Sequence, residues 1–258
     1  MSEFERLKDL LDDKYLHFNQ KDFIEHDPVS IPHLFARKED IEISGFIAAV
    51  LAWGQRKTII NKCNELFKLM DNDPYKFIMH HSDKDLKVFE SFKHRTFNST
   101  DTLYFIAALK HIYSHHGGLE NAFSKGLSIT DASVKNGLNR FKEIFFELEY
   151  HPERTKKHIA SPKRSSACKR LNMYLRWMVR KDNKGVDFGI WDKIEAHQLI
   201  CPCDVHVERV ARKLGLIKSK KPNWKMAEEL TENLKEFDSS DPVKYDFALF
   251  GLGVEGHL

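Results

Sequence analysis

Apolar residues recur at intervals of three and four along most of the chain. Leu7, Leu10, Leu11 and Tyr15 form the first such stripe. Ile43, Phe46, Ile47, Val50 and Leu51 form the second, which Gly54-Gln55 interrupts. Ile59, Ile60, Cys63, Leu66, Phe67 and Met70 resume it, until the DNDP sequence stops it. This spacing places each set on one face of a 3.6-residue helix. Asn98-Ser99-Thr100-Asp101 offers capping side chains for a helix over residues 102–115, and Gly117-Gly118 ends it. Val134, Leu138, Phe141, Ile144, Phe145 and Leu148 make a further stripe, and Leu171, Tyr174, Leu175, Met178 and Val179 the next. Residues 181–203 are irregular. A helix then carries Val207, Val210, Ala211 and Leu214, and two more cover residues 224–237 and 242–252. Alternation of period two is nowhere sustained. The pattern predicts an all-α protein of roughly ten helices, without internal repeats.

Composition bounds the class. The chain has 258 residues, 41% hydrophobic and 31% charged, enough for one large domain or two small lobes with a true core. Four cysteines, Cys63, Cys168, Cys201 and Cys203, are too few for a disulfide framework at this length and suit a reducing compartment. The acidic, amphipathic start MSEFERLKDLLDD does not read as a signal peptide. The apolar run at residues 46–53 is too short to cross a bilayer. A cytoplasmic, monomeric protein without a membrane partner is the expectation.

Net charge is only +3, so affinity for a polyanion must come from how charge is distributed. Residues 154–181 hold Arg154, Lys156, Lys157, Lys163, Arg164, Lys169, Arg170, Arg176, Arg180 and Lys181, and no Asp or Glu. Arg209, Arg212, Lys213, Lys218, Lys220 and Lys221 form a second cluster. Either cluster alone reads as a solvated helix face. Two clusters flanking one candidate site point to a phosphate track.

Between them lie the two side chains with the most chemistry. A helix beginning near Ser165 would put Lys169, Asn172, Arg176 and Arg180 on one side, away from the apolar stripe, so Lys169 is expected to leave the core. A lysine amine attacks only when neutral, and a free one is about 0.1% neutral near physiological pH. Bringing it to neutrality takes about 4 kcal/mol. A helix N-terminus supplies at most about 2 kcal/mol, so burial beneath a bound base would have to contribute the remainder. The same lysine also reads as a plain phosphate-binding residue. Asp204 opens the next helix. An N-cap role explains it by itself, and a capping carboxylate can also stabilise a sugar cation. Cys201, Cys203 and His206 lack a fourth ligand at a usual spacing, so no metal is expected there. His80-His81 and His115-His116 read as helix-end residues.

These segments resemble the helix-hairpin-helix (HhH-GPD) base-excision DNA glycosylases, the superfamily of endonuclease III and 8-oxoguanine DNA glycosylase. CPCDVHVERVARKLGL, residues 201–216, is similar to the family's V-D-T-H-V-x-R-V-x-x-R-L signature, with Asp204 on the catalytic aspartate. CKRLNMYLRW is similar to R-K-T-A-N-x-V-L, with Lys169 on the Schiff-base lysine and Asn172 on the following asparagine. GFIAAVLAWGQRKTIINK resembles the helix pair whose glutamine wedges into the DNA stack, and Gln55 takes that place. TFNSTDTLYFIAALKHIYSHHGG is similar to the family's N-K-A…H-G-G helix, and YDFALFGLG to its closing helix. The likeness spans residues 43–253 in order, and the chain as a whole most resembles a bacterial branch of the superfamily.

The resemblance implies a two-lobed helical fold, with residues 42–200 forming a barrel-like lobe with the hairpin and residues 1–41 plus 201–258 a second lobe. It implies a partner, double-stranded DNA containing a damaged base, near the nucleoid. Lys169 and Asp204 would be catalytic. Gln55, Arg56, Lys57, Lys163, Arg164, Ser165, Ser166, Arg170, Asn172, His206 and Arg209 would meet DNA. Trp53, Trp177 and Trp191 would offer stacking surfaces for the flipped base, although each equally suits a core. The likeness departs in three places. The hairpin reads SPKRSSAC where glycines are usual. The wide gap between Lys169 and Asp204 is shared with archaeal 8-oxoguanine glycosylases, which points toward oxidised purines. The cysteine loop of endonuclease III has no counterpart, so neither an iron–sulfur cluster nor another cofactor is expected. Lys181, Lys184 and Lys193 remain rival nucleophiles. A non-catalytic lesion sensor on the same fold, and an RNA-binding module, are the alternatives.

Overall fold

The structure, a computed structural model, describes residues 1–256. Its α-helices are α1 (Glu3–Phe18), α2 (Asp22–Glu25), α3 (Lys38–Leu51), α4 (Arg56–Lys68), α5 (Pro74–His80), α6 (Ser99–His115), α7 (Leu119–Ser124), α8 (Lys135–Phe145), α9 (Lys169–Val179), α10 (Val205–Lys213), α11 (Trp224–Lys235) and α12 (Asp246–Glu255). Strand structure among the described residues is one two-residue antiparallel pair, β1 (Lys93–His94) and β2 (Phe97–Asn98). The protein is therefore all-α. The predicted stripes correspond to helices, and α2, α5 and α7 are additional. Those three are too short for a 3.6-residue period to declare itself. The segment predicted as one helix over residues 242–252 begins instead as a 3-10 turn, Pro242–Tyr245. Among the described residues no helix is long and apolar enough to cross a membrane.

The chain divides into two compact units, drawn otherwise than the sequence suggested. One holds Met1–Phe23, Leu127–Lys135 and Ser161–Leu258; the other holds Ile24–Gly126 and Asn136–Ala160. Residues 161–168 and α9 thus belong with α10 to α12 rather than with α3 and α4.

In the second of these units α3 is the central helix. Every residue from Asp40 to Leu51 is buried, as expected of a helix that is apolar almost all round. Phe46 lies among Phe105, Phe123, Phe141 and Phe145, with ring centroids 5.5 to 6.4 Å apart, and Phe123 stacks on Phe141 at 3.6 Å. Such ring pairs add directional attraction to burial. The N-terminus of α6 is capped as its sequence foretold: Asn98 and Asp101 form a reciprocal capping box.

In the first unit α12 packs against α1 and α10. Two glycines let it approach. A Cβ on Gly251 would stand 2.2 Å from the Phe18 ring, and one on Gly253 would stand 3.0 Å from the backbone oxygen of His206. Neither helix pair could close to this distance over a larger side chain.

Candidate active site

Lys169 is the first residue of α9 and is exposed. The helix starts there rather than near Ser165, because Ser165 (φ 57°) and Cys168 (φ 50°) are both left-handed, a conformation that a right-handed helix cannot pass through. They supply, without glycine, the backbone turn for which glycine is usual in a hairpin. Ser165 and Ser166 are also tied to the start of α11. Ser166 bridges Asn223, and the Trp224 N–H donates to the Ser165 oxygen at 3.3 Å. Lys163 and Arg164, just before this tie, and Lys220 and Lys221, just before Asn223, are all exposed. The N-cap residue of α9, Cys168, makes no side-chain cap hydrogen bond.

The rest of that helix side is not a solvent face. Asn172, Arg176 and Arg180 are buried, at 1, 4 and 1% exposure. The Asn172 amide donates to the Ala167 oxygen at 3.0 Å, bracing the turn from inside rather than meeting DNA. Arg176 reaches Asp187 at 3.2 Å and also pairs with Asp246. Arg180 contacts Asp187 at 2.9 Å, Asp182 at 2.8 Å and Asp241 at 2.8 Å. Burial alone would weaken the Arg180 proton, but Asp187 and Asp241 hold it more firmly than usual. The basic run is therefore partly internal: a buried guanidinium keeps its charge only because carboxylates follow it inward. Arg154 likewise pairs with the buried Asp101 in the other unit. Burial pulls the Arg170 guanidinium down to about 10, which leaves it charged at neutral pH.

Asp204 is the N-cap of α10. Its Oδ1 accepts from the N–H groups of His206 at 2.8 Å and Val207 at 2.9 Å, which fixes the carboxyl's direction and leaves it half-buried. Of the two residues expected at phosphates, His206 is half-buried and Arg209 exposed, and both contact the end of α12. His206 lies 3.3 Å from the Gly253 oxygen with its ring edge-on to Phe250, and Arg209 donates to the same oxygen.

One carboxyl at this site carried no sequence signal beyond its presence in YDFALFGLG. Asp246 opens α12, 5% exposed, paired with Arg176 and 3.9 Å from the Cys201 thiol. Burial raises it to about 7, opposed by Arg176 and helped by the negative charge of Asp204. Cys201 and Cys203 are free, buried thiols. Burial pushes Cys203 up to about 12 and Cys201 well above its ordinary value. Neither is a nucleophile or a ready metal ligand.

Two of the three expected stacking tryptophans belong to the core. Trp177 is 0% and Trp191 1% exposed, the latter edge-on to Tyr174 at 5.4 Å. Trp53, in the other unit, is half-buried between His94 and His158. It lines a concavity of about 290 Å³ with Gly54, Gln55, Thr58, His94 and Arg95. Gln55 and Lys57 are exposed and Arg56 is half-buried. The rival Lys181 pairs with Asp192 in a recess whose walls also include Glu195 and Asp241. That acidic lining opposes a phosphate backbone.

Residues 27–255 match the sequence profile of a family described as "Protein of unknown function (DUF2400)". The chain belongs to this family. The match takes in every candidate residue above. No curated protein and no solved structure matches the chain.

Proposed function

We propose that this protein is a DNA-repair glycosylase with lyase activity. It would excise an oxidised base, with 8-oxoguanine the favoured lesion. The observation that carries the reading is that Lys169 and Asp204 each begin a helix of the same unit, one exposed and one held in fixed orientation by its cap. The charge of Asp204 acts on Asp246, which is paired with Arg176, two turns along α9 from Lys169.

In this reading a damaged nucleotide leaves the stack at a cost of a few kcal/mol. The neutral Lys169 amine forms a bond to the sugar C1′ as the C1′–base bond breaks, and the base departs with the bonding pair and takes up a proton. Asp204 stabilises the positive charge that develops on the sugar. The attached nitrogen loses a proton, the C1′–O4′ ring bond opens as O4′ takes up a proton, and the iminium so formed acidifies the C2′ hydrogen, whose loss as a proton expels the 3′-phosphate by breaking the C3′–oxygen bond. Lys163 and Arg164 would hold phosphate, and exposed Gln55 is the candidate wedge.

Borohydride trapping on a lesion-bearing duplex tests the proposal. A covalent adduct that is absent with Lys169→Gln supports it. Tight lesion binding without any adduct favours the non-catalytic sensor.

A further inference from the structure

The end of α6 reads His111-Ile112-Tyr113-Ser114-His115-His116, after which the chain turns at Gly117-Gly118. Helical spacing stacks His111 on His115, with ring centroids 4.5 Å apart, and the His115 Nδ1 faces the His111 oxygen at 3.2 Å. His116 is the C-cap residue and leaves the helix (φ −116°, ψ 1°). Its ring turns to the carboxyl of Glu147, just beyond the end of α8. The Nε2 of His116 lies 2.7 Å from Glu147 Oε2, and the Nε2 of His111 lies 3.3 Å from the same oxygen. The three atoms are all within 4.8 Å of one another, and among the described residues no other group of His, Cys, Asp and Glu side chains gathers so closely.

Two imidazoles and one carboxylate are the protein donors of a His₂Glu zinc centre. Donors bound about 2.0–2.1 Å from a tetrahedral ion stand about 3.3 Å apart. The His111–Glu147 separation already has that value, and the His116 contact needs to lengthen by about 0.6 Å. The side chains of His116, His111 and Glu147 are 9, 22 and 48% exposed. An ion there would be anchored on the protein side and reachable from water.

We propose that His111, His116 and Glu147 bind a divalent first-row transition ion, zinc foremost, with at least one coordination position open to water. The ion would replace the shared hydrogen bonds and staple the end of α6 to the segment that follows α8. The site is independent of the glycosylase reading.

The test uses the full chain without an affinity tag, stripped with chelator and titrated with zinc by calorimetry and with cobalt by absorption spectroscopy. The expected result is one ion per chain, a raised Tm, and a cobalt spectrum without thiolate charge-transfer bands. His111→Ala, His116→Ala and the conservative Glu147→Gln should each weaken binding at least about tenfold, while His115→Ala should not. Circular dichroism checks that each variant folds. Absence of zinc binding by the wild type, unchanged affinity in Glu147→Gln, or thiolate bands in the cobalt spectrum would overturn the assignment.

Discussion

Arg176 and Asp246 are joined inside their unit: the Nη1 of a guanidinium 4% exposed donates to the Oδ2 of a carboxyl 5% exposed. The pair ties α9 to the first residue of α12. The negative charge of Asp204 helps raise the Asp246 carboxyl.

The raised Asp246 sets a pH dependence. Its folded value, about 7, lies above the ordinary carboxylate value, so between the two the native state binds more protons than the unfolded chain. The stability this group contributes is fully present below the unfolded value and is lost as pH rises through about 7. Asp246→Asn should remove that component. Thermal unfolding of both proteins at about pH 5 and about pH 8.5 should show the variant gaining on the wild type at the higher pH. A constant difference across that range would contradict the burial-driven shift.

Arg180 serves three carboxylates in the interior. Arg180→Met leaves them facing one another and should cost about 3–5 kcal/mol, read from the denaturation midpoint. Its effect on DNA affinity per folded molecule should be slight, because the side chain does not reach solvent. A variant that is as stable as the wild type but binds DNA poorly would return Arg180 to the surface track.

Asp204→Asn separates a cap from a catalyst. Asn caps a helix about as well as Asp, whereas Ala costs about 0.5–2 kcal/mol. Asp204→Asn is therefore expected to keep the Tm and lose base release, and Asp204→Ala to lose both. Full base release with Asp204→Asn would reduce the residue to its cap.

The exposed hairpin cations should govern salt dependence. Each phosphate contact contributes about 0.9 to the slope of log K against log salt. Replacing Lys163 and Arg164 together by Gln should lower that slope by up to about 1.8. An unchanged slope would place the DNA elsewhere.

Local order was legible where the information is local. The Asn98–Asp101 capping box and the Asp204 cap rest on side chains bonding N–H groups two or three residues on, so a short window contains them. The start of α9 was not legible, because no sequence rule places a serine and a cysteine in left-handed backbone. Nor was the burial of Arg176 and Arg180. A helical wheel counts them as charged and assigns them to solvent, while two of the carboxylates that meet them inside, Asp241 and Asp246, lie 61 and 70 residues away, and the nearer Asp187 lies in the irregular stretch beyond the helix. Asp246 escaped notice for the same reason, since its significance is entirely in what surrounds it. The His111–Glu147 pairing joins the ends of separate helices, which no spacing along the chain announces.

The central claim is that the Lys169 amine is the nucleophile. Mapping the borohydride-trapped adduct by peptide mass spectrometry tests it most directly, on a duplex containing 8-oxoguanine and on a parallel panel of oxidised bases. The sugar remnant is expected on Lys169. A remnant on Lys181, Lys184 or Lys193, or no trapped species from any lesion, would contradict it.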